Sequence, residues 1–494
     1  MKKIALFLII LVLFSFADYP WSPNVRVSTD VPWDTLNQGE SCFDVFGDSI
    51  VSICNTAERG QVANAPYAYS WNTGMTFTQI PFRDYSTGIT WHTDPVIAFD
   101  DSGYVHMLIQ YSATFANHYF SKDGGMTWID TTRINSLSGF DKPWMVVNKN
   151  EIYITWQHSG SQEGIWFAKS TNYGATFTDR RIWNRLYITA LCMDENENLH
   201  LALVDYTTGN YVWYRKSTDR GETWSNEVYV GDWQYTSSYG DRAPINSITA
   251  RGDVVFITWV DNSWDGSWDI SAARSTDGGL SFGPKFRVND ITTGGQCKGW
   301  AHFDAYGGLH VMWYHTPDWP TNSNSIFSLR YQYSPDSGHT FYPSIRISDT
   351  EAPSHADFMG EYHILRSDSQ YLYSIWTDGR NPRDNDLYFS KALLSELACR
   401  ENQRYNHCKI DKILSCPTIW SGRISLNIAQ DNGYVGLKVY DGTGRLIRNL
   451  YKGVITNAMR MSLNSADFPS GILFIIANSE SRREVKKVVN LGGR

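Results

Sequence analysis

A turn motif, Ser-x-Asp/Asn-x-Gly-x-Thr/Ser-Trp/Phe, occurs six times in this sequence and constrains its fold more than any other feature. One copy, SKDGGMTW, begins at Ser121, and the others begin at Ser70, Ser170, Ser217, Ser275 and Ser334. Consecutive copies are 47 to 59 residues apart, a spacing typical of one four-stranded sheet of a β-propeller. Because a unique active site would not be copied six times, the motif predicts a structural device.

The residue types of the motif suit a hairpin turn. The carboxylate or amide at its third position, such as Asp123 or Asn172, can accept hydrogen bonds from nearby backbone N–H groups. The glycine adopts a positive φ at little cost, and the closing Trp or Phe is large enough to pack between neighbouring sheets. We therefore expect the motif to hold sheets together.

Strands with alternating apolar residues precede most copies, for example VHMLIQY from Val105 and LHVMWYH from Leu309. LYSIWTD from Leu372 is a seventh such strand, and the DLYFSKA that follows it carries no motif. The segment NVRVSTD from Asn24 is similar to the last strands of the fifth and sixth repeats, and it would supply the missing fourth strand of the seventh. The sequence predicts an all-β fold with a seven-bladed propeller, or alternatively a six-bladed one, whose ring has no open sheet edge.

The rest of the chain divides by composition. Residues 1–17 combine two lysines with a short apolar run and are predicted to be a secretory signal peptide. Residues 18–397 would form the propeller, 398–411 a polar linker, and 412–494 a small β-sandwich of short strands. No later segment is apolar enough to be a transmembrane helix. A net charge of −8 without a basic run argues against a nucleic-acid partner.

Seven cysteines are too few to form the framework of a 494-residue chain. Cys42 and Cys54 could face each other across a hairpin, and Cys399 and Cys408 could form a local bridge; neither pairing is favoured over the thiol forms. The sequence has no C-x-x-C, H-E-x-x-H, G-x-S-x-G or glycine-rich phosphate loop, so neither a metal nor a cofactor is predicted.

Two acidic stretches are weak calcium candidates. One is the segment Asp194–Asn198, and the other combines Asp261, Asp265 and Asp269. The first lies between an innermost strand and its partner, where an acidic hairpin turn is the favoured interpretation.

Propeller ligands usually bind at one mouth of the central channel, among the segments that lead into the innermost strands and the loops that join second to third strands. These segments supply carboxylates, cations and tryptophans that could bind a sugar, since guanidinium groups bind carboxylates and aromatic faces stack on sugar rings. A pair of carboxylates could also hydrolyse a glycoside. The alternative for each residue is a salt bridge between sheets. The predicted ligand residues are Asp94, Asp141, Lys142, Trp144, Arg242, Trp300, Glu361 and Arg380.

The six motifs resemble those of the BNR/Asp-box propellers, the superfamily that includes sialidases, over about three-quarters of the chain. In that superfamily the motifs lie on the face opposite the active site. Sialidases also have an early R-I-P motif, three arginines for the sialate carboxylate, a Tyr-Glu pair and an acidic Asp. Here the nearest string is Ile80-Pro81-Phe82-Arg83, which follows the first motif instead of preceding it. The resemblance implies a sialidase-like protein that acts on or binds extracellular glycans; the alternative is a non-catalytic propeller that binds glycans or proteins.

The C-terminal segment resembles the sorting domain of type IX secretion substrates over about 80 residues. The likeness rests on LKVYDGTGRLIRNL from Leu437, SGILFI from Ser470 and KKVVNL from Lys486. It implies recognition by the type IX machinery, export from the periplasm across an outer membrane, and a secreted or surface-attached product. The alternative is an ordinary accessory sandwich.

Overall fold

The computed structural model describes residues 20–29, 37–56, 65–82, 91–134, 138–160, 162–186, 188–241 and 243–398, and in the C-terminal part residues 414–415, 419–421, 423–428, 431–441, 445–455, 459–478 and 483–491. The chain divides into two compact units, residues 1–400 and 401–494. The predicted signal peptide and residues 399–411 of the predicted linker lie outside the described residues.

The described strands of the first unit form seven antiparallel sheets, numbered here along the chain. Sheets 1 to 3 consist of Gln38–Phe46, Ser49–Thr56, Tyr67–Ser70 and Thr78–Ile80; His92–Phe99, Val105–Tyr111, Phe115–Ser121 and Asp130–Ile134; and Phe140–Asn148, Glu151–His158, Gly164–Ser170 and Thr178–Trp183. Sheets 4 and 5 consist of Thr189–Met193, Leu199–Asp205, Tyr211–Ser217 and Val228–Asp232; and Asn246–Arg251, Val254–Asp261, Asp269–Ser275 and Phe286–Arg287. Sheet 6 consists of Gly295–Phe303, Leu309–Thr316, Ile326–Ser334 and Ile345–Arg346, with Ala352–Pro353 also on its third strand.

Sheet 7 combines both ends of the unit. Leu365–Ser367, Tyr371–Asp378 and Asp386–Leu393 are joined by Val25–Arg26 as the outer strand, and a short helix, Leu394–Ala398, follows. The strand order in each of sheets 1 to 6 follows the chain, so each sheet is a simple up-and-down meander. Repeated four-stranded meanders of this kind make the first unit a β-propeller.

The N-terminal strand completes sheet 7, as the sequence predicts for the segment from Asn24. Val25 pairs with Phe389 and Arg26 with Tyr388, and the Arg26 guanidinium lies 2.8 Å from the Asp386 carboxylate. The innermost strand of sheet 1 contacts the innermost strands of both sheet 2 and sheet 7. The first and last sheets are therefore neighbours, and the row of sheets closes on itself.

All six turn motifs have the same hydrogen bonds. In each, the serine Oγ donates to the Asp or Asn oxygen at 2.7 to 2.9 Å and accepts from the glycine N–H at 2.7 to 3.0 Å. The same Asp or Asn oxygen accepts from the N–H of the Thr or Ser four residues later. The motif is thus a self-contained turn, with bonds each contributing about 1 kcal/mol.

Each motif also packs on an aromatic ring of the preceding sheet. A Cβ on Gly125 would lie 2.4 Å from Tyr67 Oη of sheet 1, and one on Gly221 would lie 2.2 Å from the Phe167 ring of sheet 3. The closing aromatic meets the same ring, as Trp224 does at 5.6 Å from Phe167. The first motif packs in this way on Phe389 of sheet 7. The glycine therefore serves close approach between sheets as well as the positive φ.

A second repeated device, which the sequence analysis missed, holds the hairpins between innermost and second strands. Asp194 Oδ1 accepts from the N–H groups of Asn196 and Asn198, while Oδ2 lies 3.1 Å from Nε2 of the buried His200. The pairs Asp100–His106 and Asp304–His310 repeat this arrangement in sheets 2 and 6. The segment Asp194–Asn198 is therefore a capped turn, the interpretation favoured above over a calcium loop.

Cys42 and Cys54 remain thiols. Cys42 lies opposite Ile53 in the paired strands, and because successive residues of a strand point to opposite faces, the Cys42 and Cys54 side chains point away from each other. The Cys42 Sγ contacts Ile97 O at 3.6 Å and the Cys54 Sγ contacts Gln38 Oε1 at 3.5 Å. Cys399 and Cys408 lie outside the described residues.

The second unit contains two sheets. Leu414–Ser415, Arg423–Ile428 and Met459–Asn464 form one, and Ile419–Trp420, Arg483–Asn490, Gly471–Asn478, Asp431–Asp441 and Leu446–Ile455 form the other in that spatial order. A 3₁₀ helix spans Ser465–Asp467. Leu426 and Ile428 of the smaller sheet share one buried core with Val435, Leu437 and Val439 of the larger sheet. Within the described part of the chain, no helix has the length and apolar character needed to cross a membrane.

The closure of sheet 7 can be tested by removing its outer strand. Deleting residues 18–29 exposes the sheet edge and removes the buried side chains of Trp21 and Val27. We expect the melting temperature to fall by roughly 5–10 °C, because burying such side chains stabilises a fold by several kcal/mol. An unchanged melting curve for the deletion variant would contradict the closure.

Candidate functional site

The strand order separates the two faces of the propeller. Every innermost strand starts on one face, where second strands end, and the turn motifs join third to fourth strands on the other face. The segments that lead into the innermost strands therefore lie on the face opposite the turn motifs. Residues 57–64, 83–90, 135–137, 187 and 242, which the sequence places between these strands, lie outside the described residues.

Four innermost strands carry a bulge at the same level, and each bulge presents a charged residue. The strand pairing shifts between Gly39 and Cys42, Thr93 and Val96, Asp141 and Trp144, and Cys297 and Trp300. The bulged residues Glu40, Asp94, Lys142 and Lys298 have φ values of 54°, 48°, 52° and 55°. A left-handed backbone is unfavourable for residues other than glycine, and such strain clusters at functional sites.

The Lys142 ammonium joins three carboxylates from different sheets. Its Nζ lies 2.8 Å from Asp94 Oδ1 and 3.6 Å from Glu40 Oε1, and it donates to Glu361 Oε2. The side chains of Glu40 and Asp94 are 2% and 4% exposed, against 10% for Glu361 and 18% for Lys142. Glu361 and Lys142 are thus the members of this group that solvent reaches from the channel mouth.

Glu40 and Glu361 form a hydrogen-bonded carboxyl pair whose pKa values are shifted in opposite directions. Burial raises the pKa of Glu40 well above its usual value, and the negative charge of Asp94 adds to that effect. Burial also acts against the charged form of Glu361, but the Lys142 ammonium and the hydrogen bond from Glu40 hold the pKa of Glu361 below its usual value. Of the two groups, Glu40 therefore holds its proton more tightly and Glu361 ionises first.

Asp94 and Lys142 complete the charge balance. Burial raises the pKa of Asp94 to about 6, although Lys142 acts in the opposite direction. Burial disfavours the charged form of Lys142, yet Asp94, Glu361 and Glu40 together raise the pKa of Lys142 well above its usual value. Lys142 stays protonated and holds the carboxylates in place.

A second buried ion pair lies at the same mouth. Lys298 Nζ lies 2.6 Å from Asp241 Oδ1, and both side chains are fully buried. Burial raises the pKa of Asp241, against the effect of Lys298 and with a contribution from Glu361. Lys298 in turn helps to lower the pKa of Glu361, so the charges of this pair act on the first group.

An aromatic layer lies one step deeper in the channel. Trp144 and Trp300 follow Lys142 and Lys298 by two residues, and their rings are 5.0 Å apart. Tyr362 meets Trp144 at 5.5 Å, and its hydroxyl donates to Pro95 O at 3.1 Å. These rings come from sheets 3 and 6 and from the segment before sheet 7, and so form a floor beneath the charged residues.

A cavity of about 630 Å³ lies beyond the aromatic layer, toward the turn-motif face. All seven sheets line it, with contributions from Asp44, Phe99, Val146, Leu191, Ile248, His302 and Ser367. Trp144 and Trp300 border this cavity, so they separate it from the charged mouth.

The structure brings together most, but not all, of the predicted ligand residues. Asp94, Lys142 and Glu361 are in direct contact, and Asp141 accepts from Gln110 Nε2 beside them. Trp144 and Trp300 contact each other below. Arg242 lies outside the described residues, as does Arg83.

Arg380 lies in a different network. Its guanidinium donates to Asp378 at 2.6 and 3.0 Å and to Asn24 Oδ1 at 3.0 Å, and it also pairs with Asp349. The guanidinium stacks 4.1 Å from the Tyr388 ring. These contacts tie the N-terminal segment to sheets 6 and 7, the salt bridge between sheets that was the alternative for each predicted residue.

Glu40, Asp241 and Lys298 belong to the site but were not among the predicted ligand residues. A signal for two of them exists in the sequence, because Glu40 and Lys298 stand two residues before Cys42 and Trp300, just as Lys142 stands two residues before Trp144. All three residues lie in the segments that lead into innermost strands, where the sequence places the channel mouth.

Three of these carboxylates could also hold a cation. Oxygens of Glu40, Asp94 and Glu361 lie within 4.8 Å of one another, and no second group of this kind occurs among the described residues. The Lys142 ammonium contacts all three. The cation that neutralises this group is therefore a side chain of the protein itself. Asp261, Asp265 and Asp269, the weaker calcium candidates, pair instead with Lys285 and Arg287.

The raised pKa of Asp94 predicts a pH dependence of stability. Its folded pKa of about 6 lies above the ordinary value of 3.8, so protonation stabilises the fold at low pH and this contribution is lost as the pH rises through about 6. The unfolding free energy of Asp94→Asn, relative to the unchanged protein, should increase by up to about 3 kcal/mol between pH 4 and 7.

Urea unfolding at several pH values measures this difference. Asp123→Asn is the matched control, because hydrogen bonds from Thr127 lower the pKa of Asp123. The stability difference between Asp123→Asn and the unchanged protein should be nearly constant above about pH 5 and should change in the opposite direction only at lower pH. Parallel stability curves for Asp94→Asn and the unchanged protein would contradict the prediction.

Comparison with known proteins does not assign this chain to a family. No protein-family model matches the sequence, and no curated protein matches it. Among solved structures, a protein of unknown function from Dyadobacter fermentans covers 75% of this chain and 98% of its own, with 12% identity and a TM-score of 0.45. An α-L-arabinanase from Penicillium chrysogenum, in complex with arabinobiose, covers 76% and 99% with 14% identity and a TM-score of 0.43. The NanB sialidase from Streptococcus pneumoniae covers 77% and 71% with 13% identity and a TM-score of 0.41.

Proposed function

We propose that this protein is an extracellular glycoside hydrolase whose active site is the charged channel mouth. The observation that carries the proposal is the hydrogen-bonded Glu40–Glu361 pair, in which burial raises the pKa of Glu40 while Lys142 and Glu40 hold the pKa of Glu361 below its usual value. Glycoside hydrolysis needs these two forms side by side, a proton donor for the leaving oxygen and a carboxylate for the sugar carbon.

The separation of the carboxyl groups favours a retaining reaction. Oxygens of the two groups lie within 4.8 Å of each other, so the pair has no room between its carboxyl groups for the water that inverting enzymes hold across a gap of roughly 6.5–9.5 Å. Glu40 donates its proton to the glycosidic oxygen while the Glu361 carboxylate attacks the anomeric carbon and the glycosidic bond breaks. Water then hydrolyses the glycosyl ester and gives its proton to Glu40, which restores both groups.

Asp94 and Lys142 act as positioning residues in this scheme. Lys142 bonds to Asp94 and Glu361 together, and its charge keeps Glu361 ionised in a buried setting. The bulges hold Glu40, Asp94 and Lys142 in a fixed, strained geometry, which lowers the cost of arranging them when a substrate binds.

A non-catalytic, glycan-binding propeller is the second candidate. It is favoured by the contacts of Lys142, whose ammonium joins all three carboxylates and so engages the group that would attack. In that case the same mouth would bind a sugar without cleaving it.

The proposal extends to the whole chain. We propose that the seven sheets are the blades of a seven-bladed propeller of Asp-box type, that residues 1–17 direct secretion, and that residues 412–494 form a sandwich read by type IX secretion machinery. The protein would then be released from the cell or attached to its surface, where glycans are available.

The carboxyl pair gives a direct catalytic prediction. Glu40→Gln removes the proton donor and Glu361→Gln removes the nucleophile, so each should lower kcat/KM on a glycoside substrate by about 10³-fold or more. The rate should be bell-shaped in pH, falling on the acid side as Glu361 is protonated and on the alkaline side as Glu40 ionises.

Hydrolysis of nitrophenyl glycosides and NMR of the first product measure rate and stereochemistry. Asp123→Ala is the control: it removes turn hydrogen bonds on the opposite face, so it should lower stability by about 1–2 kcal/mol and leave kcat/KM unchanged. Full activity in both glutamine variants would refute the catalytic assignment. Binding that depends on Glu361, without hydrolysis of any glycoside, would favour the second candidate.

The C-terminal segment gives a prediction about export. In a host with type IX secretion, a variant ending at residue 398 should accumulate in the periplasm, whereas the full chain reaches the medium or the cell surface. Its propeller should melt as in the full chain, because residues 1–400 form a compact unit. Cell fractionation measures this, and export of the truncated protein would refute the sorting role.

A further inference from the structure

We infer that Asp241 and Lys298 are a hydroxyl-binding half of the same site, and that its ligand is a neutral sugar and not a sialic acid or another carboxylated sugar. This inference rests on the proposed function, since it concerns the ligand of the channel mouth around Glu361.

The first argument is that this ion pair has unused hydrogen-bonding positions, although the Asp241 carboxylate also accepts from the Ala243 N–H. Both side chains are fully buried, and Lys298 Nζ donates only to Asp241 Oδ1, at 2.6 Å, among the described residues. An ammonium group has three N–H donors, and Asp241 Oδ2 has no hydrogen-bond partner in the described part of the chain. Buried polar groups are normally hydrogen-bonded, so open donors and an open acceptor on neighbouring groups point to a missing ligand group.

A hydroxyl group matches these open positions. It accepts one hydrogen bond from an ammonium and donates another to a carboxylate oxygen at the same time. A carboxylate accepts but cannot donate, so it would leave Asp241 Oδ2 facing a like charge. The pair therefore selects for a sugar hydroxyl.

The second argument is the position of the pair. Lys298 occupies the bulge of sheet 6 in the same left-handed conformation as Lys142 in sheet 3. The charge of Lys298 lowers the pKa of Glu361, and the charge of Glu361 raises that of Asp241. The pair and the carboxyl group thus act on the same space at the channel mouth.

The third argument is the charge of the mouth. Among the described residues of the mouth, five carboxyl groups, Glu40, Asp94, Asp141, Asp241 and Glu361, face two ammonium groups, Lys142 and Lys298, and both ammonium groups are paired. Even with Glu40 protonated the carboxylates outnumber the cations. Among the described residues, no arginine forms an ion pair or hydrogen bond with Glu40, Asp94, Lys142 or Glu361. A sugar carboxylate would meet like charges, which disfavours its binding, whereas a neutral sugar would not.

The test compares matched neutral and sialylated glycans on an array with the full-length protein, followed by calorimetric titration of the best binders. Asp241→Asn and Lys298→Met should each weaken neutral-glycan binding by roughly 10- to 100-fold, the effect of losing a hydrogen bond to a charged group. The double variant, Asp241→Asn with Lys298→Met, leaves no buried charge unpaired. It can therefore be measured even if either single variant fails to fold.

Asp261→Asn is the matched control, because Asp261 is also a buried carboxylate paired with a lysine, Lys285 at 2.9 Å, but in sheet 5 away from the bulges. Its glycan affinity should be unchanged. The inference is supported if the double variant loses neutral-glycan binding and the control keeps it. It is overturned if the double variant binds neutral glycans as tightly as the unchanged protein does. Preference for sialylated glycans that disappears in Glu361→Gln overturns the inference but leaves the proposed function standing, whereas no binding or cleavage of any glycan overturns both.

Discussion

The packing of each turn-motif glycine against an aromatic ring of the preceding sheet is the contact on which the whole propeller depends. Gly125 approaches Tyr67, Gly221 approaches Phe167, and the first motif reaches Phe389 at the end of the unit. A side chain at these glycines would collide with the ring, so the sheets could not approach as closely. Because the same contact recurs around the ring and includes the join between the first and last sheets, it sets the spacing of the innermost strands and with it the width of the channel.

That spacing makes the charged mouth possible. The bulges of four innermost strands hold Glu40, Asp94, Lys142 and Lys298 where solvent reaches their side chains little or not at all. Burying a charge is costly unless an opposite charge is near, and the lysines of sheets 3 and 6 provide it to carboxylates from other parts of the ring. Because the carboxyl groups still outnumber the cations, the pKa of Glu40 is raised while that of Glu361 is lowered. These opposite shifts give the two groups different chemical roles.

The sequence predicts ligand residues at the channel mouth, and the structure brings some of these residues into contact and leaves others apart. Asp94, Lys142 and Glu361 were chosen because they lead into innermost strands, and the structure joins them through one ammonium group. Arg380 was chosen by the same logic but pairs with Asp378 and Asn24, because a second-to-third loop can face an adjacent sheet as well as the channel. Glu40 and Lys298 also lie in segments that lead into innermost strands but are not among the predicted ligand residues, since the bulge that turns each of them inward adds a residue that a regular alternating pattern does not anticipate.

The features that the sequence predicts depend on short stretches of chain, whereas the composition of the site depends on contacts between distant residues. Six turn motifs, alternating strands and the similarity of the segment from Asn24 to later strands are properties of short stretches of chain, so the sequence by itself determined the repeats, the structural role of the motifs and the pairing of Val25–Arg26 with the last sheet. Which carboxyl groups share a proton, which lysine neutralises them and which donors stay open depend on distances between residues far apart in the chain, such as Lys142 and Glu361. Only the tertiary structure decided those, because Coulomb energies and desolvation change steeply over a few ångströms and no pattern along the chain encodes them.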